Sequence, residues 1–123
     1  MTQAPRPLPI FDTLKYFEEA TLPHQADLPF ADRDWRVAKD FLGLFDGNPL
    51  TFNNYRREIE RLLQWAWRIE KRSIIDLTRD EITSYLHFCQ HPPLSWINTQ
   101  IEPRFITRQG ARIANKRWRP FLL

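Results

Sequence analysis

The stretch TFNNYRREIERLLQWAWRIEKR, residues 51–72, decides the predicted fold. Its apolar residues recur at spacings of three and four, and it contains neither Gly nor Pro, which is typical of an amphipathic helix. Thr51 is a suitable N-cap. We predict a helix of about five turns whose inner face centres on Leu62 and Ala66. Its apolar positions are Phe52, Tyr55, Ile59, Leu62, Leu63, Ala66 and Ile69.

The opposite face of this helix carries basic and amide side chains and no acidic residue, and we call it the basic stripe. Its members are Asn54, Arg57, Arg61, Gln64, Arg68, Lys71 and Arg72. A helix fits the DNA major groove, where Arg binds guanine or phosphate and Asn or Gln binds adenine. The other interpretation is a solvated outer face, and the pattern alone favours neither.

Two further helices flank the long one. The first begins at Asp32 or Asp34 and stops at Gly47, and the second begins at a capping box formed by Thr78 and Glu81 and ends before Pro92 and Pro93. No strand alternation persists, so the predicted class is all-α, a small orthogonal helical bundle. The predicted core comprises Trp35, Ala38, Phe41, Leu42, Phe45, Tyr55, Ile59, Leu62, Leu63, Ala66, Ile82, Tyr85, Leu86 and Cys89.

The length of 123 residues suits one domain with a segment on each side. Residues 1–31 are proline-rich and read as an extended arm with a short helix from Asp12 to Ala20. Residues 32–93 form the predicted helical domain. Residues 94–123 lack periodicity and are predicted to be an irregular basic tail.

The predicted tail lacks a long helix and is expected to be the least ordered part of the chain. Its aromatic residues Trp96, Phe105 and Trp118 are expected to anchor it on the helical domain.

Charge is distributed unevenly along the chain, which has 18 Lys and Arg against 15 Asp and Glu. Residues 1–50 hold five basic against eight acidic residues, and residues 51–123 hold thirteen against seven. No acidic residue follows Glu102. Such a basic segment attracts a polyanion or simply keeps the protein in solution. The candidate DNA contacts in it are Arg104, Arg108, Lys116 and Arg117.

Composition excludes several classes of protein. Three glycines leave no glycine-rich phosphate loop, and the single cysteine cannot form an internal disulfide. No apolar run approaches the roughly 20 residues that cross a bilayer, and the first residues do not resemble a secretory signal. We therefore expect a cytoplasmic protein that does not bind membranes.

A metal- or thiol-dependent enzyme is the weakest interpretation. His87 and His91 lie four residues apart, but Cys89 between them faces the apolar side of its helix and no fourth ligand is nearby. No serine-centred nucleophile motif is present. We predict no catalytic residue, no metal, no cofactor and no small-molecule substrate.

Four stretches of the chain carry a resemblance to a known family. They are TFNNYRREIERLLQWAW at 51–67, IIDLTRDEITSYLHFC at 74–89, HPP at 91–93 followed by Trp96, and KRWRPF at 116–121. Together they resemble the N-terminal, SAM-like core-binding domain of the tyrosine recombinases, the phage-integrase family. The resemblance covers about residues 32–121.

The resemblance implies a module that grips duplex DNA during integration and recombination, beside other recombinase protomers, with helix 51–72 against the DNA. In that family a separate C-terminal domain carries the catalytic Arg, Lys, His and Tyr, so this chain is not expected to be an enzyme on its own. Tyr16, Tyr55 and Tyr85 are not replacements for the catalytic tyrosine.

The resemblance also implies that the last helix of the core-binding domain is missing. It implies a bacterial or phage-derived protein that associates with the nucleoid. An alternative interpretation is a helical protein-interaction module whose exposed apolar surface docks a partner.

Overall fold

The structure, a computed structural model, describes residues 6–22 and 28–123. Its helices are α1 (Ala31–Gly43), α2 (Pro49–Trp65) and α3 (Arg79–Gln90), and α2 continues as a π-helical turn, Ala66–Glu70. Its strands are β1 (Ile97–Asn98), β2 (Phe105–Arg108), β3 (Ala111–Ala114) and β4 (Phe121–Leu122). Short 3-10 turns occupy Leu14–Tyr16, Ile74–Asp76 and Leu94–Trp96.

The all-α prediction is wrong, because the C-terminal segment forms strands and the fold is mixed α/β. Strands β2 and β3 pair antiparallel, with Arg108 opposite Ala111. The two residues between them, Gln109 and Gly110, have φ of 50° and 79°, as the tight turn of a hairpin requires. Strands β1 and β4, near the beginning and the end of the C-terminal segment, pair in parallel.

The helix ends differ in part from those predicted. The side chain of Asn48, not Thr51, caps α2 by accepting a hydrogen bond from the Thr51 N–H at 3.2 Å, and Pro49 occupies the first turn. The predicted capping box of α3 is confirmed. Helix α1 ends at Gly43, before the predicted stop at Gly47, and the predicted helix at Asp12–Ala20 is reduced to the turn Leu14–Tyr16.

The main core lies between α1, α2 and the segment that precedes α1. Five predicted core residues are buried in it: Trp35, Ala38, Leu42, Leu63 and Ala66. The whole cluster comprises Ile10, Phe11, Phe17, Ala31, Trp35, Ala38, Leu42, Phe52, Leu63, Trp65, Ala66 and Trp67. The segment before α1 therefore contributes to the core, although it was predicted to be an arm outside it.

The predicted inner face of α2 is only partly correct. Phe52, Leu63 and Ala66 are buried as predicted. Tyr55, however, is 43% exposed, Leu62 is only partly buried, and Glu60 is fully buried. The reason is that residues 8–17 pack along a side of α2 that the pattern assigned to solvent. Other predicted core residues are exposed (Phe41, Ile82, Leu86) or partly buried (Phe45, Ile59, Tyr85, Cys89).

The C-terminal segment docks on the helices through its aromatic residues, as predicted. Trp96, Phe105 and Trp118 are all buried. Phe88 of α3 contacts Trp96, with ring centroids 5.1 Å apart. Residues 94–123 contain no α-helix, which was also predicted, but their paired strands contradict the description of the tail as irregular.

Candidate nucleic-acid interface

The ends of the basic stripe lie on the surface. Asn54 and Arg57 are exposed in the first half of α2, and Lys71 and Arg72 are exposed just after the π-helical turn. The Arg72 guanidinium makes an ion pair of 2.9 Å with Glu81, although half of its side chain remains exposed. These four residues can reach an external ligand.

Gln64 was predicted to face outward, and this is wrong because its side chain is fully buried. Its amide nitrogen donates a hydrogen bond to the carbonyl oxygen of Leu8, and its amide oxygen accepts one from Arg68 Nε at 2.9 Å. Arg68 is itself partly buried, and this burial lowers the pKa of its guanidinium. The amide of Gln64 therefore holds the segment around Leu8 on α2.

Arg61, in the middle of the stripe, lies under the C-terminal segment. Its Nε donates to the carbonyl oxygen of Pro120 at 2.8 Å, and its guanidinium lies 4.3 Å from the ring centroid of Phe121. It also pairs with Glu58 at 3.4 Å. The stripe is thus interrupted, because β4 covers its centre.

Arg104 was predicted to contact DNA, but it forms a buried ion pair with Glu60 and only 11% of its side chain is exposed. Its guanidinium also lies 5.0 Å from the ring centroid of Trp118. Burial lowers the pKa of Arg104 well below its usual range, and the nearby charges of Arg56 and Arg57 lower it further. Arg104 therefore joins the C-terminal segment to α2 and is not available to a ligand.

The other predicted residues of the C-terminal segment, Arg108, Lys116 and Arg117, are exposed. They lie near a cleft of about 370 Å³ that is lined by Arg6, Arg117 and Arg119 among others. Two further depressions adjoin this cleft. The first, of about 170 Å³, shares Arg119 with the cleft and extends to Arg57 and Arg61, and the second, of about 560 Å³, shares Arg117 and extends to Lys116 and Arg108.

These three depressions form one continuous surface that carries six cations besides Arg61 and Arg104, which make contacts within the protein. We call it the basic surface, and its cations are Arg6, Arg57, Arg108, Lys116, Arg117 and Arg119. Among the described residues that line the depressions, Glu102 is the only acidic one. A surface of this composition produces a positive potential that attracts polyanions.

Arg6 and Arg119 were not among the predicted DNA contacts. Arg119 had a usable signal, because it follows Trp118, an aromatic residue that was expected to be an anchor and is buried. Arg6 had none, since its position depends on contacts between Leu8 and Gln64, which are far apart in the chain.

Within residues 6–22 and 28–123, no group of three or more His, Cys, Asp or Glu side chains is arranged to hold a metal ion. His87, Cys89 and His91 therefore do not assemble a site with any acidic neighbour of the described chain. Residues 6–22 and 28–123 also contain no helix long and apolar enough to cross a membrane.

Comparison with known proteins adds no relative: no protein-family model matches the chain, and no curated protein or solved structure matches it with significance.

Proposed function

We propose that this chain is a non-catalytic DNA-binding domain that grips duplex DNA in the manner of the core-binding domain of a tyrosine recombinase. The observation that carries the proposal is the basic surface, on which six cations adjoin one another and Glu102 is the only acidic residue among the described lining residues. Arg57 also pairs with Glu58 at 3.2 Å. Phosphate contacts from such cations supply most of the affinity of a protein for DNA.

The expected DNA contact lies away from the centre of α2. Arg61, Gln64 and Arg104 make contacts within the protein, so phosphates are expected to meet the C-terminal segment and Arg57 instead. The exposed amide of Asn54, one turn before Arg57, is the side chain best suited to read a base edge. The C-terminal hairpin then takes the role of a second contact element.

The cellular setting follows from this function. A domain that binds duplex DNA during integration and recombination works in the cytoplasm at the nucleoid, and the parent recombinase brings other protomers to the same DNA. Strand cleavage in that parent belongs to a separate domain with the catalytic tyrosine.

The experiment is fluorescence anisotropy of a labelled DNA duplex, titrated with the protein at several salt concentrations. For four or five phosphate contacts, log K should fall with log salt with a slope of about −4, at roughly −0.9 per contact. The double variant Arg108→Glu, Lys116→Glu should weaken binding to all duplexes and flatten the slope by about two units.

The matched control is Arg36→Glu, which reverses the same type of charge at an exposed position of α1 that lines none of the three depressions. It should bind DNA nearly as the parent does. If the folded double variant binds DNA with the affinity and salt slope of the parent, the basic surface is not the DNA site and the proposal is wrong.

A second candidate function is docking of a protein partner. The rings of Phe41, Phe45 and Tyr55 form a cluster with centroid distances of 4.9–5.6 Å, and Phe41 and Tyr55 are both exposed. An apolar cluster on the surface favours a protein contact. Analytical ultracentrifugation of the parent and of Phe41→Ser tests it, because self-association that is lost in the variant would support this function over DNA binding.

A further inference from the structure

The cleft of about 370 Å³ is the part of the basic surface that contains arginines from both ends of the described chain. It lies between the first described residues and the C-terminal segment, and three guanidinium groups, those of Arg6, Arg117 and Arg119, line it. Asn98, Thr99 and Gln100 add neutral polar side chains. The cleft therefore combines charge with hydrogen-bond donors.

The residues of the cleft are attached to fixed parts of the fold. Trp118 is buried between Arg117 and Arg119, so both arginines start from an anchored backbone. Asn98 pairs with Leu122 in the parallel sheet, and its carbonyl oxygen accepts a hydrogen bond from the Leu123 N–H at 2.8 Å. A ligand would therefore meet a site that is already organised, which reduces the entropy lost on binding.

Arg119 is fixed by hydrogen bonds from one nitrogen of its guanidinium, and its other nitrogens are available to a ligand. Its Nη1 donates to the carbonyl oxygens of Lys116 at 2.7 Å and Trp118 at 2.6 Å, and within the described chain its Nε and Nη2 have no partner. Burial lowers the pKa of Arg119, and the positive charge of Arg6 lowers it further. Arg119 is partly buried, Arg6 is exposed, and both line the cleft, so two like charges lie on one small surface, which favours a bound anion.

The one carboxylate at the cleft does not neutralise these arginines. Glu102 accepts hydrogen bonds from the side-chain amides of Gln100 at 3.4 Å and Asn115 at 3.3 Å. In the part of the chain that the structure describes, it forms no ion pair with an arginine of the cleft. The three cations therefore remain available to an external anion.

We propose that this cleft is a phosphate-binding site and that it takes one phosphodiester of a DNA backbone. The planar forks of guanidinium groups match phosphate oxygens with paired hydrogen bonds. The identity of the ligand as DNA rests on the proposed function, whereas the recognition of a phosphate group rests on the cleft alone.

The test is an NMR titration of the ¹⁵N-labelled full chain with sodium phosphate, against sodium chloride of equal ionic strength. Phosphate should cause saturable shifts at the backbone amides of residues 97–100 and 117–119. The variant Arg6→Gln, Arg117→Gln removes two exposed charges and should weaken phosphate binding about tenfold or more. The control Arg36→Gln should bind phosphate as the parent does. A second titration uses a short DNA duplex, which should shift the same amides and compete with phosphate.

The titrations separate the phosphate site from the proposed DNA-binding function. If phosphate shifts are no larger than chloride shifts, or if the folded Arg6→Gln, Arg117→Gln protein binds phosphate unchanged, the phosphate site is wrong even where DNA still binds elsewhere. If phosphate binds but DNA leaves the cleft amides unshifted, the ligand is a free anion and the assignment to a DNA backbone is overturned. If phosphate binds and DNA does not bind the protein at all, the proposed function fails while the anion site stands.

Discussion

The backbone N–H of Ile10 donates a hydrogen bond of 2.7 Å to the buried carboxylate of Glu60 in the middle of α2. The same oxygen also accepts from the Phe11 N–H at 3.3 Å, and the other oxygen pairs with Arg104. One side chain therefore joins the first described segment, α2 and the C-terminal segment. Because these contacts come from three parts of the chain, they cooperate in placing the cleft around Arg6 beside the C-terminal residues.

Replacing this carboxylate should be costly. Glu60→Gln keeps the shape of the side chain but removes the negative charge, which leaves Arg104 buried without a counter-charge. We expect the free energy of unfolding to fall by about 3–5 kcal/mol, as when one partner of a buried ion pair is removed. Denaturation by urea, followed by circular dichroism, measures it.

The matched control for that change is Glu58→Gln, two residues earlier on α2, because the Glu58 side chain is 56% exposed in its ion pairs with Arg57 and Arg61. Exposed pairs contribute about 0–1 kcal/mol, so this variant should unfold close to the parent. Equal losses in the two variants would contradict the structural role of Glu60.

Adjacent leucines of α2 test the orientation of the helix. Leu63 is fully buried and Leu62 is only partly buried. Leu63→Ala should cost about 2–5 kcal/mol, as truncations of buried leucine do, and Leu62→Ala should cost clearly less. Thermal or urea unfolding of the two variants gives the comparison. The reverse order would restore the orientation predicted from the periodicity.

Arg61 should matter for the position of the C-terminal segment. Arg61→Ala removes its hydrogen bond to the carbonyl oxygen of Pro120 and its contact with the Phe121 ring. We expect faster hydrogen exchange at the Leu123 amide, which donates to Asn98, corresponding to a local loss of about 1 kcal/mol. Arg57→Ala, four residues earlier, should leave that amide unchanged. Unchanged exchange in Arg61→Ala would show that β4 does not depend on this contact.

Stability should fall at alkaline pH because of Tyr85. Burial raises the pKa of Tyr85, and its hydrogen bond with Cys89 raises it further. The unfolded phenol has a pKa of about 10. Above that pH the unfolded state loses a proton that the native state keeps. The contribution of Tyr85 to the free energy of unfolding is therefore fully present below about pH 10 and decreases as the pH rises beyond it.

Tyr85→Phe removes this ionisation, and its stability should depend less steeply on pH in the same range. Urea unfolding of both proteins at neutral and alkaline pH measures the difference. Equal pH dependence in the two proteins would mean that Tyr85 ionises normally in the native state.

Local sequence signals determined the helices and their approximate positions. The capping box of Thr78 and Glu81 identified the start of α3, and the spacing of apolar residues located α1 and α2. The aromatic residues Trp96, Phe105 and Trp118 identified where the last segment docks. The capping box and the apolar spacing depend on residues close together in the chain, and the aromatic anchors depend on side-chain hydrophobicity alone. The sequence is therefore sufficient to predict these features.

The hairpin of β2 and β3 has only a weak signal in the sequence and was not predicted. The segment FITRQGARIA, residues 105–114, places Gly110 near its centre, between two four-residue strands. The loop begins with Gln109, which seldom adopts positive φ, and not with the Asn or Asp that usually precedes Gly in such turns. The strands are also short and do not alternate strictly, so the helical pattern elsewhere dominated the predicted class.

Only the tertiary structure decided which side of α2 is buried and which cations are free. Periodicity identifies an amphipathic helix, but it counts Glu60 and Gln64 as polar and places neither of them in the core. Both are buried because the distant Ile10 and Leu8 present backbone groups that need partners there. In the same way Arg104 forms an ion pair with the buried Glu60 and is not available to a ligand, whereas Arg119 lines the cleft. Pairing between segments about fifty residues apart is a property of the folded chain, and no local pattern of charge encodes it.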